Sequence, residues 1–152
     1  MKEPGHERWM REAIALSRQC PVSRTFSVGA VIVGVDGAVL STGFSREGSP
    51  DNHAEEAALA KLAPDDPRLA TATLYSSLEP CSTRASRPVS CTQHILRAGV
   101  DTVVFAWREP LLFADCDGAE TLAAAGVRVV ELSALADEVR AVNAHVLADP
   151  PA

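Results

Sequence analysis

A chain of 152 residues, 47% of them apolar, is long enough for one domain around one core, and residues 1–152 are expected to form it. The formal net charge of −6, without any run of Lys and Arg, argues against long nucleic-acid substrates and for a small molecule. No stretch approaches the roughly 18 apolar residues of a membrane span, and Met1 to Cys20 mixes acidic and basic residues with no apolar leader. A cytoplasmic protein is expected, whose four cysteines are ligands or buried thiols rather than disulfides.

The first helix is predicted over Glu7–Gln19, where Trp9, Met10, Ala13, Ile14 and Ser17 share a side and Pro21 forbids continuation. Val28–Val33 is an apolar, β-branched strand. Asp36-Gly37 then signals a hairpin that returns along Val39–Phe44. Ser49-Pro50-Asp51-Asn52 offers N-cap side chains for a helix from about His53 to Leu62. After the loop Pro64–Pro67 come a strand over Ala72–Ser76, a helix over Thr92–Ala98 closed by Gly99, and a buried strand over Val100–Ala106. Gly118–Ala125 reads as a helix, Val127–Glu131 as a strand and Leu135–Leu147 as the last helix. Strand–helix alternation after residue 70 predicts a mostly parallel sheet covered on both faces, with the opening hairpin as its antiparallel part.

His53, Cys81 and Cys91 can supply three zinc ligands, leaving the fourth tetrahedral position for water, which distinguishes a catalytic from a structural zinc. His53 and Cys91 are each read at a helix start, where unpaired N–H groups and the macrodipole favour a thiolate. Cys81 follows Pro80 at a strand's carboxyl end, the place where open α/β sheets build sites. Two thiolates balance the charge of zinc, so such a site acidifies its water less than a three-histidine site, where the pKa falls to about 7. A carboxylate beside the water must then move the proton, and Glu55 is the candidate. Residues two apart do not share a helix face, so His53 and Glu55 reach one site only if the helix end points at the metal. His94, three residues after Cys91, is a rival fourth ligand that would close the site and make it structural. Glu56 reads as a solvated helix residue, and Cys20 and Cys116 as thiols outside the ligand set.

The order His53-Ala54-Glu55, Pro80-Cys81, Cys91 is the pattern of zinc-dependent nucleobase deaminases, although nine residues rather than the usual two separate the cysteines. At these residues the chain resembles the cytidine deaminase superfamily, and within it the deaminase domain of riboflavin biosynthesis, which also carries a long insert between its cysteines. The resemblance runs from about Trp9 to Val130 and includes Val28-Gly29-Ala30-Val31-Ile32-Val33, Ser77-Leu78-Glu79-Pro80-Cys81-Ser82, Ala98-Gly99-Val100 and Glu109-Pro110. It implies a three-layer α/β/α sandwich with a five-stranded mixed sheet, bound zinc, a homodimer, and hydrolysis of an exocyclic amine to a carbonyl. His53, Cys81 and Cys91 become the ligands and Glu55 the proton shuttle. Three features depart from the riboflavin branch. Its Asn-Pro is replaced by Thr25-Phe26-Ser27, which looks more like cytidine deaminases. Its Gly-rich stretch is replaced by residues Phe113 to Gly118. The reductase domain that often follows is not expected after Ala152.

Substrate contacts are sought at Phe26, Ser27 and Trp107; the rings of Phe26 and Trp107 can stack on a flat heterocycle or pack the core. Arg84 and Arg87, in the insert 82–90, can clamp a phosphate or remain a solvated loop. Three functions stay open on this reading. One is a riboflavin-type aminopyrimidine deaminase, another a cytidine- or cytosine-type deaminase, and the third a structural-zinc binding module.

Overall fold

Every residue of β1 (Gly29–Val33) is buried, and a strand buried on both faces needs a layer on each side. The computed structural model, which describes residues 5–21, 23, 25–81, 89–108 and 117–148, supplies both layers. β1 pairs antiparallel with β2 (Val39–Phe44) and with β3 (Thr73–Leu78). β4 (Thr102–Trp107) and β5 (Arg128–Glu131) continue the sheet in parallel, giving five strands in the order β2-β1-β3-β4-β5. Ala30, Ile32, Leu74 and Val103 face α2 (Ala54–Ala60), α3 (Cys91–Ala98) and α4 (Gly118–Ala124), meeting Ala58, Ile95 and Leu122. Val31, Val33, Tyr75 and Val104 face the other way, onto Met10, Ala13 and Ile14 of α1 (His6–Ser17) and Val139 of α5 (Ala136–Val142). The expected α/β/α sandwich with a mixed sheet is therefore present.

Most element ends differ from the sequence reading by one or two residues, and three differences are larger in kind. The N-cap of α2 is His53 itself, in extended conformation, while Asn52 turns its amide to Glu47 O at 2.7 Å. A short 3-10 turn, Pro67–Thr71, follows the predicted loop; Asp66 caps it by accepting from Arg68 N. The last helix is not continuous. A 3-10 turn over Ser133–Leu135 leads into α5, and α6 (Ala144–Ala148) follows after Asn143. Asn143 is wholly buried, and its side chain bonds to the backbone of Ser27 and to Val139 O. An asparagine that bonds backbone in this way competes with regular helix.

Two glycines bring the site's carriers together. A Cβ on Gly43 in β2 would lie 2.4 Å from Ala54 O, so only glycine lets the first turn of α2 close onto the strand. A Cβ on Gly118 would lie 2.0 Å from Pro80 O, so α4 begins directly against the residue that precedes Cys81.

Candidate metal centre and active site

Three chain segments end at one point. His53 caps α2, Cys81 lies just beyond β3, and Cys91 is the first residue of α3. Ser90 and Gln93 start α3 with a reciprocal pair of bonds, Gln93 N to Ser90 Oγ at 3.2 Å and Ser90 N to Gln93 Oε1 at 3.1 Å. Thr92 ties the neighbouring turn to this helix by donating its amide and its hydroxyl to Cys81 O, at 3.1 and 2.8 Å.

His53 Nδ1 stands 3.2 Å from Cys91 Sγ and 3.6 Å from Cys81 Sγ, and all three ligand atoms lie within 4.8 Å of one another. Tetrahedral zinc with ordinary Zn–N and Zn–S bonds holds such atoms about 3.6 Å apart. The residues present thus fit the ion in both type and spacing. Cys91 N donates to Cys81 Sγ at 3.3 Å. Hydrogen bonding by the Cys91 side chain, then by His53 and the Cys91 amide, outweighs burial and brings the Cys81 thiol down to about 4. At neutral pH it is a thiolate, the form that binds metal.

Glu55 is 4% exposed, in the first turn of α2. Because His53 precedes the helix and Glu55 lies within it, the two share a helix end rather than a helix face, which answers the spacing difficulty. Burial, reinforced by the charge of Cys81, raises the Glu55 carboxyl to about 7, against opposing effects of His53 and hydrogen bonds. The Ser76 hydroxyl lies 3.3 Å from Glu55 Oε2 and 2.7 Å from Leu78 O, and can donate to one of them at a time.

Glu56 is not a solvated residue. It is buried, accepts from His53 N at 3.2 Å, and holds His94 Nε2 at 3.4 Å. His94 is thereby turned to Glu56, and the metal-binding group among the described residues comprises His53, Cys81 and Cys91. Cys20 lies outside that group, with its thiol 3.5 Å from Val28 O. Phe26 and Trp107 meet edge to face, ring centres 5.8 Å apart, at the carboxyl end of the sheet. Ser27 is buried beside them. Arg84, Arg87, Cys116, Glu109-Pro110 and the stretch 113–116 lie outside the described residues.

The sequence reading missed Ser76, Glu56 and Glu79. Glu79 Oε2 accepts from Ala119 N at 3.1 Å, holding the start of α4 beside the Cys81 turn. The available signal was two polar residues, Ser76 and Ser77, in an otherwise apolar strand, and a carboxylate set directly before Pro80-Cys81.

The sequence model of the cytidine and deoxycytidylate deaminase zinc-binding region matches residues 4–107. The chain belongs to this deaminase family. A diaminohydroxyphosphoribosylamino-pyrimidine deaminase of Schizosaccharomyces pombe is 41% identical over 150 residues, covering 95% of this chain and 37% of the relative. The chain thus spans about a third of the length of the curated relatives it matches. The solved RibD of Acinetobacter baumannii superposes with a TM-score of 0.78 at 28% identity, over 91% of this chain and 38% of that one. The Aspergillus oryzae Rib2 deaminase in complex with DARIPP superposes with a TM-score of 0.77 at 26% identity, over 90% of this chain and 88% of that one. Within this deaminase family the metal is zinc, and His53, Cys81 and Cys91 are placed to bind it.

Proposed function

We propose that this chain forms a single deaminase domain that hydrolyses the exocyclic amine of an aminopyrimidine to a carbonyl and ammonia, as in riboflavin biosynthesis. The carrying observation is the buried Glu55 carboxyl, in the helix turn that His53 caps and within reach of the charges of Cys81 and His53, together with a metal group of three protein ligands. A zinc ion there would supply Lewis acidity to a water and to the charge that develops as the water adds to the ring. Glu55 takes one proton from the attacking water on its carboxylate and delivers it to the ring nitrogen. It then takes the second proton from the hydroxyl now on the ring carbon and gives it to the amine, so that the C–N bond breaks, ammonia leaves and the carbonyl forms. In the metal-free site burial pushes this carboxyl above its ordinary range, so it holds a proton more readily than a surface glutamate, which suits a group that must accept and return protons.

We assign Phe26, Ser27 and Trp107 to contact with the ring, and Arg84 and Arg87 to a substrate phosphate. The Schizosaccharomyces pombe relative, whose name specifies a phosphoribosylamino-pyrimidine, supports that substrate class. Thiol ligands that must stay reduced support a cytoplasmic setting. The net charge of −6 supports a small-molecule partner rather than nucleic acid. A homodimer completes the reading, supported by the prevalence of closed two-fold assemblies.

One observation favours a cytidine-type substrate instead, namely Phe26 where the riboflavin branch carries Asn-Pro. Ammonia release from diaminohydroxyphosphoribosylaminopyrimidine, cytidine and deoxycytidylate, measured side by side, tests both. Turnover of the first supports the proposal; turnover of the other two alone replaces it with the second reading. The structural-zinc alternative needs His94 as a ligand, and His94 is engaged by Glu56.

A further inference from the structure

Arg46 has a backbone conformation that a side chain rarely adopts. Its φ is 65°, in the left-handed region, and it is the one non-glycine residue with positive φ among the described residues. Glycine is the usual occupant there, and other residues are strained. The side chain offers a reason for keeping arginine. Its Nε donates to Pro21 O at 3.1 Å. Nη1 donates to Thr25 Oγ1 at 2.9 Å and Phe26 O at 3.2 Å, and Nη2 to Pro21 O at 2.8 Å and Ser27 Oγ at 3.1 Å. A guanidinium has five N–H groups, and all of them are engaged by this one segment. Arg46 is therefore a clamp with no donor left over for a ligand.

The clamp lies at the end of the sheet where the metal ligands converge. β1 runs antiparallel to both neighbours, with Gly29 opposite Phe44 and Ala30 opposite Ser76. Continued backward, these registers bring residues 26–28 between the end of β2, which leads to His53, and the end of β3, which leads to Cys81. Ser45 N donates to Val28 O at 2.9 Å, as that continuation requires. Arg46 N donates to Asn52 O at 2.7 Å, so the residue that grips Thr25–Ser27 also closes the turn that delivers His53. From the opposite side, Asn143 Oδ1 accepts from Ser27 N at 2.6 Å and Nδ2 donates to Ser27 O at 3.2 Å.

We propose that Arg46 is a positioning residue that fixes Phe26 and Ser27 relative to the His53 turn, so that substrate affinity, and not zinc binding, depends on it. The inference rests on the aminopyrimidine reading for what occupies the site. Arg46→Gly suits the backbone and removes the clamp. It is expected to keep its zinc, raise KM for diaminohydroxyphosphoribosylaminopyrimidine by about tenfold or more, and change kcat much less. Millimolar guanidinium should lower that KM again, whereas ammonium at equal ionic strength should not. Amide exchange across residues 25–29 should accelerate by about tenfold while that of Met10–Ile14 in α1 stays unchanged, which separates a released segment from a weakened fold. An unchanged KM, or a raised KM that guanidinium does not reverse, overturns the proposal. If Arg46→Gly does not fold, Arg46→Lys keeps the charge without the fork and is read in the same way. Should the wild type release no ammonia from this pyrimidine, the function reading falls. The exchange measurement then decides the clamp, and unchanged exchange across 25–29 overturns it.

Discussion

The metal ligands and the segment Thr25–Ser27 meet at the same end of the sheet but are held by different means. His53, Cys81 and Cys91 occupy a helix cap, a strand exit and a helix start, and their ligand atoms converge within 4.8 Å of one another. Thr25–Ser27 belongs to no helix or strand. Side chains from far along the chain hold it, Arg46 after β2 and Asn143 between α5 and α6. Chemistry that must not move is built on element ends. The segment Thr25–Ser27 is held instead by the polar clamps Arg46 and Asn143, neither of which belongs to the metal-binding group.

Mutations that separate these regions give the clearest tests. The largest effect is expected from Cys91→Ala, which removes one side chain of the three-residue metal group. Zinc content by metal analysis should fall well below one per chain and turnover should vanish; full occupancy would remove Cys91 from the ligand set. Glu55→Gln should retain zinc and fold while kcat falls by a factor on the order of 10² or more, as for a lost acid–base group. Near-normal turnover would show that another residue carries the proton.

The metal-free protein should report Glu55 through pH. Its carboxyl is raised from 4.5 to about 7 in the folded state, so between those values the native protein binds more protons than the unfolded chain. Stability from this group is therefore full below 4.5 and is lost as pH rises to about 7, at up to about 1.4 kcal/mol per pH unit. Denaturant titrations of wild type and Glu55→Gln should diverge across that window, and parallel pH profiles would count against the raised carboxyl. Asn143→Ala is expected to have the smallest effect. Leaving the backbone of Ser27 without its partner should cost about 1–3 kcal/mol of stability and raise KM, with zinc content unchanged. A fall in zinc content would mean that the two regions are not separable.

The metal side was legible because its residue types are scarce and chemically specific. Few arrangements other than a zinc site explain His53, Glu55, Cys81 and Cys91 in that order. The layering was legible from the apolar run of β1 and the strand–helix alternation that follows. The clamps were not. Arg46 follows β2 in a stretch for which the sequence offered no reading, and its acceptors lie 19 to 25 residues upstream. Asn143 interrupts a helical pattern, and the backbone it holds is 116 residues away. Glu56 was misread for the same reason. Its partner His94 is on another helix, and periodicity describes one helix at a time. The cap of α2 was sought among Ser49 to Asn52 because these are common capping types, whereas the closing bonds Asn52 N to Ser49 O and Arg46 N to Asn52 O draw them into the preceding turn and leave His53 as the cap.

Gly118 limits how parts can be exchanged between relatives. Its backbone lies against the Pro80 carbonyl, within the space a side chain would need. The start of α4 and the Cys81 turn are therefore one unit for engineering. A foreign loop spliced between Trp107 and α4, in order to admit a different heterocycle, must return a glycine to position 118. Any larger residue would push on Pro80 and so on the sulfur of Cys81, and a change intended for specificity would be read out as loss of metal.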